Sequence, residues 1–129
     1  MKYSAKIIAS DLEGLQIISA CSSGAKVKVS DIKYLTSNKV FLLSIERIKV
    51  ENENEDKRVN SILRFDFVEK SRSKNINQSD QEAVLELVGI DYLKNNDVYE
   101  INLIFNNNAH IALTTETIEA RLEDQSEIK

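Results

Sequence analysis

Apolar and polar residues alternate along much of this chain, and this period of two constrains the fold more than any other feature. In residues 25–30, for example, Ala25, Val27 and Val29 share one face while lysines and a serine share the other. Successive side chains of a β-strand point to opposite sides of a sheet, so this spacing predicts strands with one buried face. Similar patterns predict further strands at 6–10, 41–50, 58–70, 85–93, 98–105 and 110–115.

Polar clusters separate these segments and predict tight turns. They are Thr36-Ser37-Asn38, Asn95-Asn96-Asp97 and Asn106-Asn107-Asn108. Asparagine tolerates a positive φ better than other residues that carry a side chain, which suits it to hairpin turns. The stretch 51–58 is strongly polar, and we expect a loop there.

The apolar phase shifts on both sides of the first turn. Before the turn, apolar residues stand at odd-numbered positions up to Val29 and at even-numbered positions from Ile32. After the turn, they stand at odd-numbered positions up to Ile45 and at even-numbered positions from Ile48. Two shifts at similar distances from one turn predict a paired kink or bulge, which keeps the apolar face inward as the strands curve. The sheet is therefore expected to be strongly bent.

Two helices are predicted, one early and one at the end of the chain. In the first, over 11–22, apolar residues recur at helical spacing after a Ser10–Glu13 capping box, and Gly24 follows as a left-handed C-cap. In the second, over 117–125, two apolar residues lie one helical turn apart.

The predicted fold is α+β and mainly antiparallel β. Six or seven strands form a strongly bent sheet or a partly open barrel, with an early helix and a C-terminal helix that caps one opening. That order is similar to the one in pleckstrin-homology-like barrels, an analogy that says nothing about function. The length of 129 residues predicts a single domain over 1–129.

Composition excludes several kinds of function. A net charge of -4 argues against general nucleic-acid binding. One cysteine and one histidine are too few for a structural zinc site, and three scattered glycines form no phosphate loop. We therefore predict no metal, no cofactor and no catalytic residue. The chain has no apolar run of about 20 residues for a membrane span, and a single cysteine suits the cytoplasm.

The most distinctive polar pattern is a basic row at every second position, made of Lys70, Arg72 and Lys74. If Arg64 lies on the same face, the four cations form a candidate site for an anion, since Arg grips carboxylates and phosphates with two parallel hydrogen bonds. A second capping box, Ser79 to Glu82, predicts a helical turn at 80–84 whose amides would add to that site. A solvated face, or an edge strand protected by lysines, explains the same row without a ligand.

Three functions from different classes fit these observations. The first is a non-enzymatic binding module that recognises a protein partner or an anionic small molecule through a sheet edge or the basic row. The second is a small enzyme or accessory subunit with a carboxylate or His110 in the barrel mouth. The third is a homodimer formed by edge-strand pairing.

Cys21 lies on the apolar side of the first helix and is expected to be buried and inert.

Two segments of the chain resemble a known family. They are "SRSKNINQSDQEAVLELVGI" (71–90) and "TIEARLEDQ" (117–125), and the opening "LQIISACSSGAKVKVSDIKYL" (15–35) is similar as well. The family is a group of small bacterial proteins, domain of unknown function 2948. The resemblance spans nearly the whole chain and implies a cytoplasmic protein of one domain. It implies no activity.

Overall fold

The computed structural model describes residues 6–52 and 55–127, with side chains described for 6–48 and 58–125. In that part of the chain, one α-helix, α1, spans Leu12–Ser22, and a 3₁₀ helix spans Val29–Asp31. The strands are β1 Lys6–Ala9, β2 Ala25–Lys28, β3 Ile32–Leu35, β4 Val40–Asn52, β5 Glu55–Phe65, β6 Val68–Lys74, β7 Val84–Asn95, β8 Val98–Phe105, β9 His110–Thr115 and β10 Ala120–Glu127.

All strand pairs are antiparallel, as the sequence predicted, and they form one open sheet. The order of strands is β1-β10-β5-β4-β2-β7-β8-β9-β6, and β3 pairs with β4 beside this path. β1 and β6 are therefore the two ends of the sheet. The ten strands in the described part of the chain exceed the six or seven predicted, because β3 and β10 are additional strands and the predicted strand 58–70 is divided into β5 and β6.

A short strand, β2, joins the two halves of the sheet. Lys26 of β2 pairs with Glu46 of β4 on one side, while all four β2 residues pair with β7 on the other. The 3₁₀ helix then bends the chain into β3, which among the described strands pairs with β4. This bend lies at the phase shift after Val29, and the inner faces of both halves of the sheet bury one apolar core.

Helix α1 packs its Leu15 and Ile18 into that core. The predicted Ser10 capping box is wrong by one residue: Asp11 is the N-cap, and its carboxylate accepts a hydrogen bond from the amide of Gly14 at 2.7 Å. Gly24 has a φ of +85°, the left-handed conformation predicted for it.

The same helix also takes the place of a strand beside β7. β2 pairs with β7 only as far as Leu87, and beyond that point the edge of β7 is met by two serines of the helix region. Ser23 Oγ donates to the carbonyl of Val88 at 3.0 Å, and the amide of Ile90 donates to Ser19 Oγ at 2.9 Å. Edge groups that would otherwise lack a partner are thereby satisfied.

The prediction of a C-terminal helix is wrong. The segment forms β10, which lies between β1 and β5, with Ala120, Leu122 and Asp124 buried and Arg121 and Glu123 on the opposite face. Apolar residues four positions apart share one face in a strand and also in a helix. The pairing of this segment with β1 and β5 selects the strand. The pleckstrin-homology-like order, which needs a final helix, is not confirmed.

Two further local predictions are corrected. The strand expected over 58–70 breaks at Asp66 and Phe67, so that β5 and β6 are separate and not adjacent in the sheet. In the predicted polar loop 51–58, β4 continues to Asn52 and β5 begins at Glu55, while residues 53–54 lie outside the described residues.

The second predicted phase shift, after Ile45, is also wrong because Arg47 occupies the next inward position of β4. Its side chain forms an ion pair with Asp124 of β10, in which Nε lies 3.0 Å from Oδ1 and Nη2 lies 2.9 Å from Oδ2. Ser61 of β5 donates to the same carboxylate at 2.6 Å. Arg47 is only 6% exposed and Asp124 7% exposed, so the two buried charges tie three neighbouring strands together.

None of the helices in the described part of the chain is long and apolar enough to cross a membrane.

We expect Arg47→Ala to lower the free energy of unfolding by about 3–5 kcal/mol, because it removes a buried cation that forms two hydrogen bonds with the buried Asp124 carboxylate. Urea titration followed by circular dichroism measures this loss. The control is Arg58→Ala, which removes an exposed ion pair with Glu46 and should cost less than about 1 kcal/mol. Equal losses in both variants would show that burial of the Arg47 pair is unimportant.

Candidate functional site

The free edges of β3 and β6 border a pocket, and we call this region the seam. Among the described strands, β3 pairs with β4 alone and β6 pairs with β9 alone. The pocket between them has a volume of about 310 Å³. Its lining residues are Val29, Ile32, Tyr34, Phe41, Ser71, Ser73, Ile76, Gln78, Gln81 and Ile111.

The lining of the seam pocket combines an apolar floor with polar groups that carry no charge. Ser71 and Ser73 belong to β6, where they pair in register with the core residues Leu113 and Ile111 and so face inward. Gln78 and Gln81 come from the segment that follows β6, and the Gln78 amide donates to Ser73 Oγ at 3.0 Å. A pocket of this kind holds neutral polar or apolar groups.

The seam narrows at the start of β6, where hydrogen bonds cross it. Tyr34 of β3 donates its hydroxyl to the carbonyl of Val68 at 2.7 Å, and the amide of Val68 donates to the carbonyl of Lys39 at 2.8 Å. Beyond this point, no hydrogen bond outside the β6–β9 ladder reaches the main chain of residues 70–74 in the described part of the chain. The edge of β6 is therefore open from residue 70 to residue 74.

Backbone strain is concentrated at the same corner. Among the described residues that carry a side chain, six have a positive φ, and four of them are asparagines in turns. The other two are Lys39, with a φ of 57°, and Phe67, with a φ of 59°, and both adjoin Val68. Phe67 is also 53% exposed. A bulky residue in this conformation is uncommon, and such residues cluster at functional sites.

Lys39 is held in place by an ion pair across the corner. Its Nζ lies 3.0 Å from Oε1 of Glu69, the second residue of β6. The hydrogen bond and negative charge of Glu69 raise the pKa of Lys39 above its ordinary value.

The predicted basic row lies on the outer face of β6, opposite the pocket. Lys70, Arg72 and Lys74 are exposed and pair in register with Thr114, Ala112 and His110 of β9. Arg72 Nη2 forms an ion pair with Oε1 of Glu100 at 2.7 Å. Lys70 and Lys74 have no ion-pair partner in the described part of the chain, so they are the two cations that remain available.

Arg64 does not join this row. It lies on β5, and its Nη2 is 2.9 Å from Oδ1 of Asp66, which neutralises its charge locally. The predicted helical turn at 80–84 is not formed either: the segment makes consecutive turns, with Asp80 donating to Asn77 and Ala83 donating to Asp80 through the main chain. No helix N-terminus therefore contributes to the predicted anion site.

The other candidate residues show no catalytic arrangement. His110 Nε2 lies 2.7 Å from Oδ1 of Asn102, an amide that cannot take up a proton as a carboxylate would. Cys21 is partly buried and packs against the core. Within the described residues, no group of three His, Cys, Asp or Glu side chains lies close enough to hold a metal ion.

The pocket residues were not predicted from the sequence. Ser71 and Ser73 alternate with the basic row, but only the charged half of that pattern indicates a site by its chemistry. A polar residue at every inward position of a strand is a signal that the inner face of that strand meets a cavity or solvent. Ile32, Phe41 and Ile111, which line the same pocket, lie far from these serines in the sequence, so the pocket itself needed the fold.

We expect Phe67→Asn to raise the free energy of unfolding by up to about 1 kcal/mol, since asparagine accepts a positive φ more readily and the Phe67 side chain is half exposed. Urea titration provides the measurement. The matched control is Phe65→Asn, which removes a fully buried ring in ordinary strand backbone and should be strongly destabilising. A loss of stability in Phe67→Asn would mean that the ring contributes more to packing than its backbone conformation costs.

Comparison with known proteins identifies the family of the chain. No curated protein and no solved structure matches it. A family model described as "Protein of unknown function (DUF2948)" matches residues 5–129, which is nearly the whole chain. This match confirms the resemblance seen in residues 15–35, 71–90 and 117–125. The chain belongs to the DUF2948 family.

Proposed function

We propose that this protein is a non-enzymatic binding module and that it binds its partner or ligand along β6. One observation carries the proposal: the open edge of β6 has a neutral pocket on its inner side and the basic row on its outer side. A ligand or a protein segment at this edge contacts both surfaces at once. The module is one domain, and its proposed compartment is the cytoplasm, in keeping with a single cysteine.

The chemistry of the seam supports binding over catalysis. The pocket is lined by hydroxyl, amide and apolar groups, and the titratable side chain among them, Tyr34, donates its hydroxyl to the carbonyl of Val68. General acid–base catalysis needs a group that titrates near the reacting atom. Hydroxyl and amide groups instead fix the orientation of a bound molecule through hydrogen bonds.

The basic row gives this edge a preference for negative charge. Lys70 and Lys74 stand about 13 Å apart along an extended strand, with Arg72 between them. Arg72 already contacts Glu100, so an incoming anion competes with that carboxylate or shares the guanidinium with it. We therefore propose Lys70, Arg72 and Lys74 as contacts for an anionic ligand or an acidic protein segment. Arg64 is not part of this proposed contact because its partner is Asp66.

A thermal-shift panel of phosphorylated, nucleotide and carboxylate compounds at low salt tests the proposal. A ligand at 100 times its dissociation constant stabilises a protein by about 2.7 kcal/mol, which shifts Tm by several degrees for a chain of this size. We expect one ligand class to stabilise the wild type. We expect the variant Lys70→Ala/Arg72→Ala/Lys74→Ala to lose that response.

The control variant is Lys6→Ala/Lys26→Ala/Lys94→Ala, which removes the same amount of charge from exposed positions on β1, β2 and β7. It should respond as the wild type does. If both triple variants lose the response equally, only net charge matters and the row is not a site. Turnover of any compound that a single substitution abolishes would contradict the non-enzymatic role.

A further inference from the structure

We propose that the binding partner is an extended acidic segment of another protein, which adds to the sheet as a strand beside β6. This inference rests on the proposed function and names its partner class. Acidic and neutral residues alternate in the segment. Its acidic side chains face Lys70, Arg72 and Lys74, and its neutral side chains face Ser71 and Ser73.

The free edge of β6 provides the first part of the argument. β6 is the last strand of the sheet, and in the described part of the chain its main chain from 70 to 74 bonds only to β9. The alternate amides and carbonyls that point away from β9 are therefore available to an incoming strand. Such main-chain hydrogen bonds are the source of affinity in peptide recognition by strand addition.

The spacing of the charges provides the second part. Residues two apart on a strand are separated by about 7 Å and lie on the same face. An added strand has the same spacing, so acidic residues at every second position lie beside all three cations of the row. Opposite charges at neighbouring positions of paired strands are mutually stabilising. A free anion or a compact acidic loop lacks this match.

The same charges argue against a second copy of this chain as the partner. If two β6 strands paired antiparallel about Arg72, Lys70 would face Lys74 of the second copy, and the two Arg72 side chains would face each other. Like charges directly opposite are destabilising. Edge lysines commonly prevent strands from pairing with each other in this way, but they admit a strand of opposite charge.

The pocket determines the other face of the partner. Ser71 and Ser73 face inward, and the pocket beside them is bordered by Ile32, Ile76 and Gln81 without any charged group. Inward side chains of the added strand reach this pocket. A charged side chain partly buried there would have no counterion among the lining residues, whereas threonine or valine fits both the polar and the apolar parts of the lining.

A pair of fluorescent peptides of equal composition tests the inference by fluorescence anisotropy at low salt. The first is acetyl-Glu-Thr-Glu-Val-Glu-Thr-Glu-amide, and the second is acetyl-Glu-Glu-Glu-Glu-Thr-Val-Thr-amide. We expect the alternating peptide to bind at least tenfold more tightly. Two further forms of the alternating peptide are N-methylated, one at its odd-numbered amides and the other at its even-numbered amides. One of these two forms should bind at least tenfold more weakly than the unmodified peptide. Hydrogen exchange should slow at β6 amides when the unmodified peptide is bound.

Charge reversal provides the matched protein variants. In Lys70→Glu/Arg72→Glu/Lys74→Glu, binding of the alternating peptide should fall at least tenfold, and the corresponding Lys peptide should bind instead. Lys6→Glu/Lys26→Glu/Lys94→Glu should change the affinity of either peptide less than twofold relative to the wild type, after correction for net charge by a salt series.

The outcomes separate this inference from the proposed function. If both Glu peptides bind equally and neither methylated form is weaker, the strand-addition model is wrong, although anion binding at the row survives. If the Lys70/Arg72/Lys74 reversal leaves the alternating peptide bound as tightly as before, the proposed site itself is wrong. If only the compounds of the thermal-shift panel bind, the partner is a small anion and not a protein segment.

Discussion

Backbone hydrogen bonding along a four-residue strand holds the two halves of this sheet together. β2 pairs with β7 over its whole length and with β4 at Lys26 alone, before the 3₁₀ helix redirects the chain to β3. Because β2 is so short, it leaves the part of β7 beyond Leu87 without a neighbouring strand on that side. Ser19 and Ser23 of the α1 region supply the missing hydrogen bonds there. Across the seam, hydrogen bonds to Val68 close only the start of β6, and residues 70–74 have no such substitute in the described part of the chain. The fold thus satisfies the edge of β7 with its own serines and leaves most of the edge of β6 open.

Most individual elements of the fold follow from local patterns. Alternation locates nearly every strand, and asparagines mark the turns in which Asn96, Asn107 and Asn108 adopt a positive φ. The errors arise where a distant partner overrides the local pattern. Arg47 looks like a break in the apolar phase of β4, and only Asp124, which the chain reaches much later, explains why an arginine points inward. The error at the final strand has the same cause, because its residues fit a helix until β1 and β5 are placed on either side.

The candidate site was predictable only in its charged half. The basic row is visible as an alternation of Lys and Arg with Ser, and the structure shows that it lies on a single exposed strand face. Arg64 could not be separated from that row, since nothing in the sequence places a corner at Phe67, a residue type that rarely adopts a positive φ. The pocket brings together residues of β3, β6 and the segment after β6, so it exists only once the bend at the 3₁₀ helix has formed.

The position of β10 between β1 and β5 has a consequence for synthesis on the ribosome. The first strand of the sheet to be made finds its partner only in the last, and β5 likewise has one neighbour missing until then. Until β10 emerges, one edge of each of these strands is unpaired and Arg47 lacks the Asp124 carboxylate. Nascent chains therefore expose unpaired strand edges in the interval between the synthesis of β5 and that of β10, when a holding chaperone protects most against aggregation.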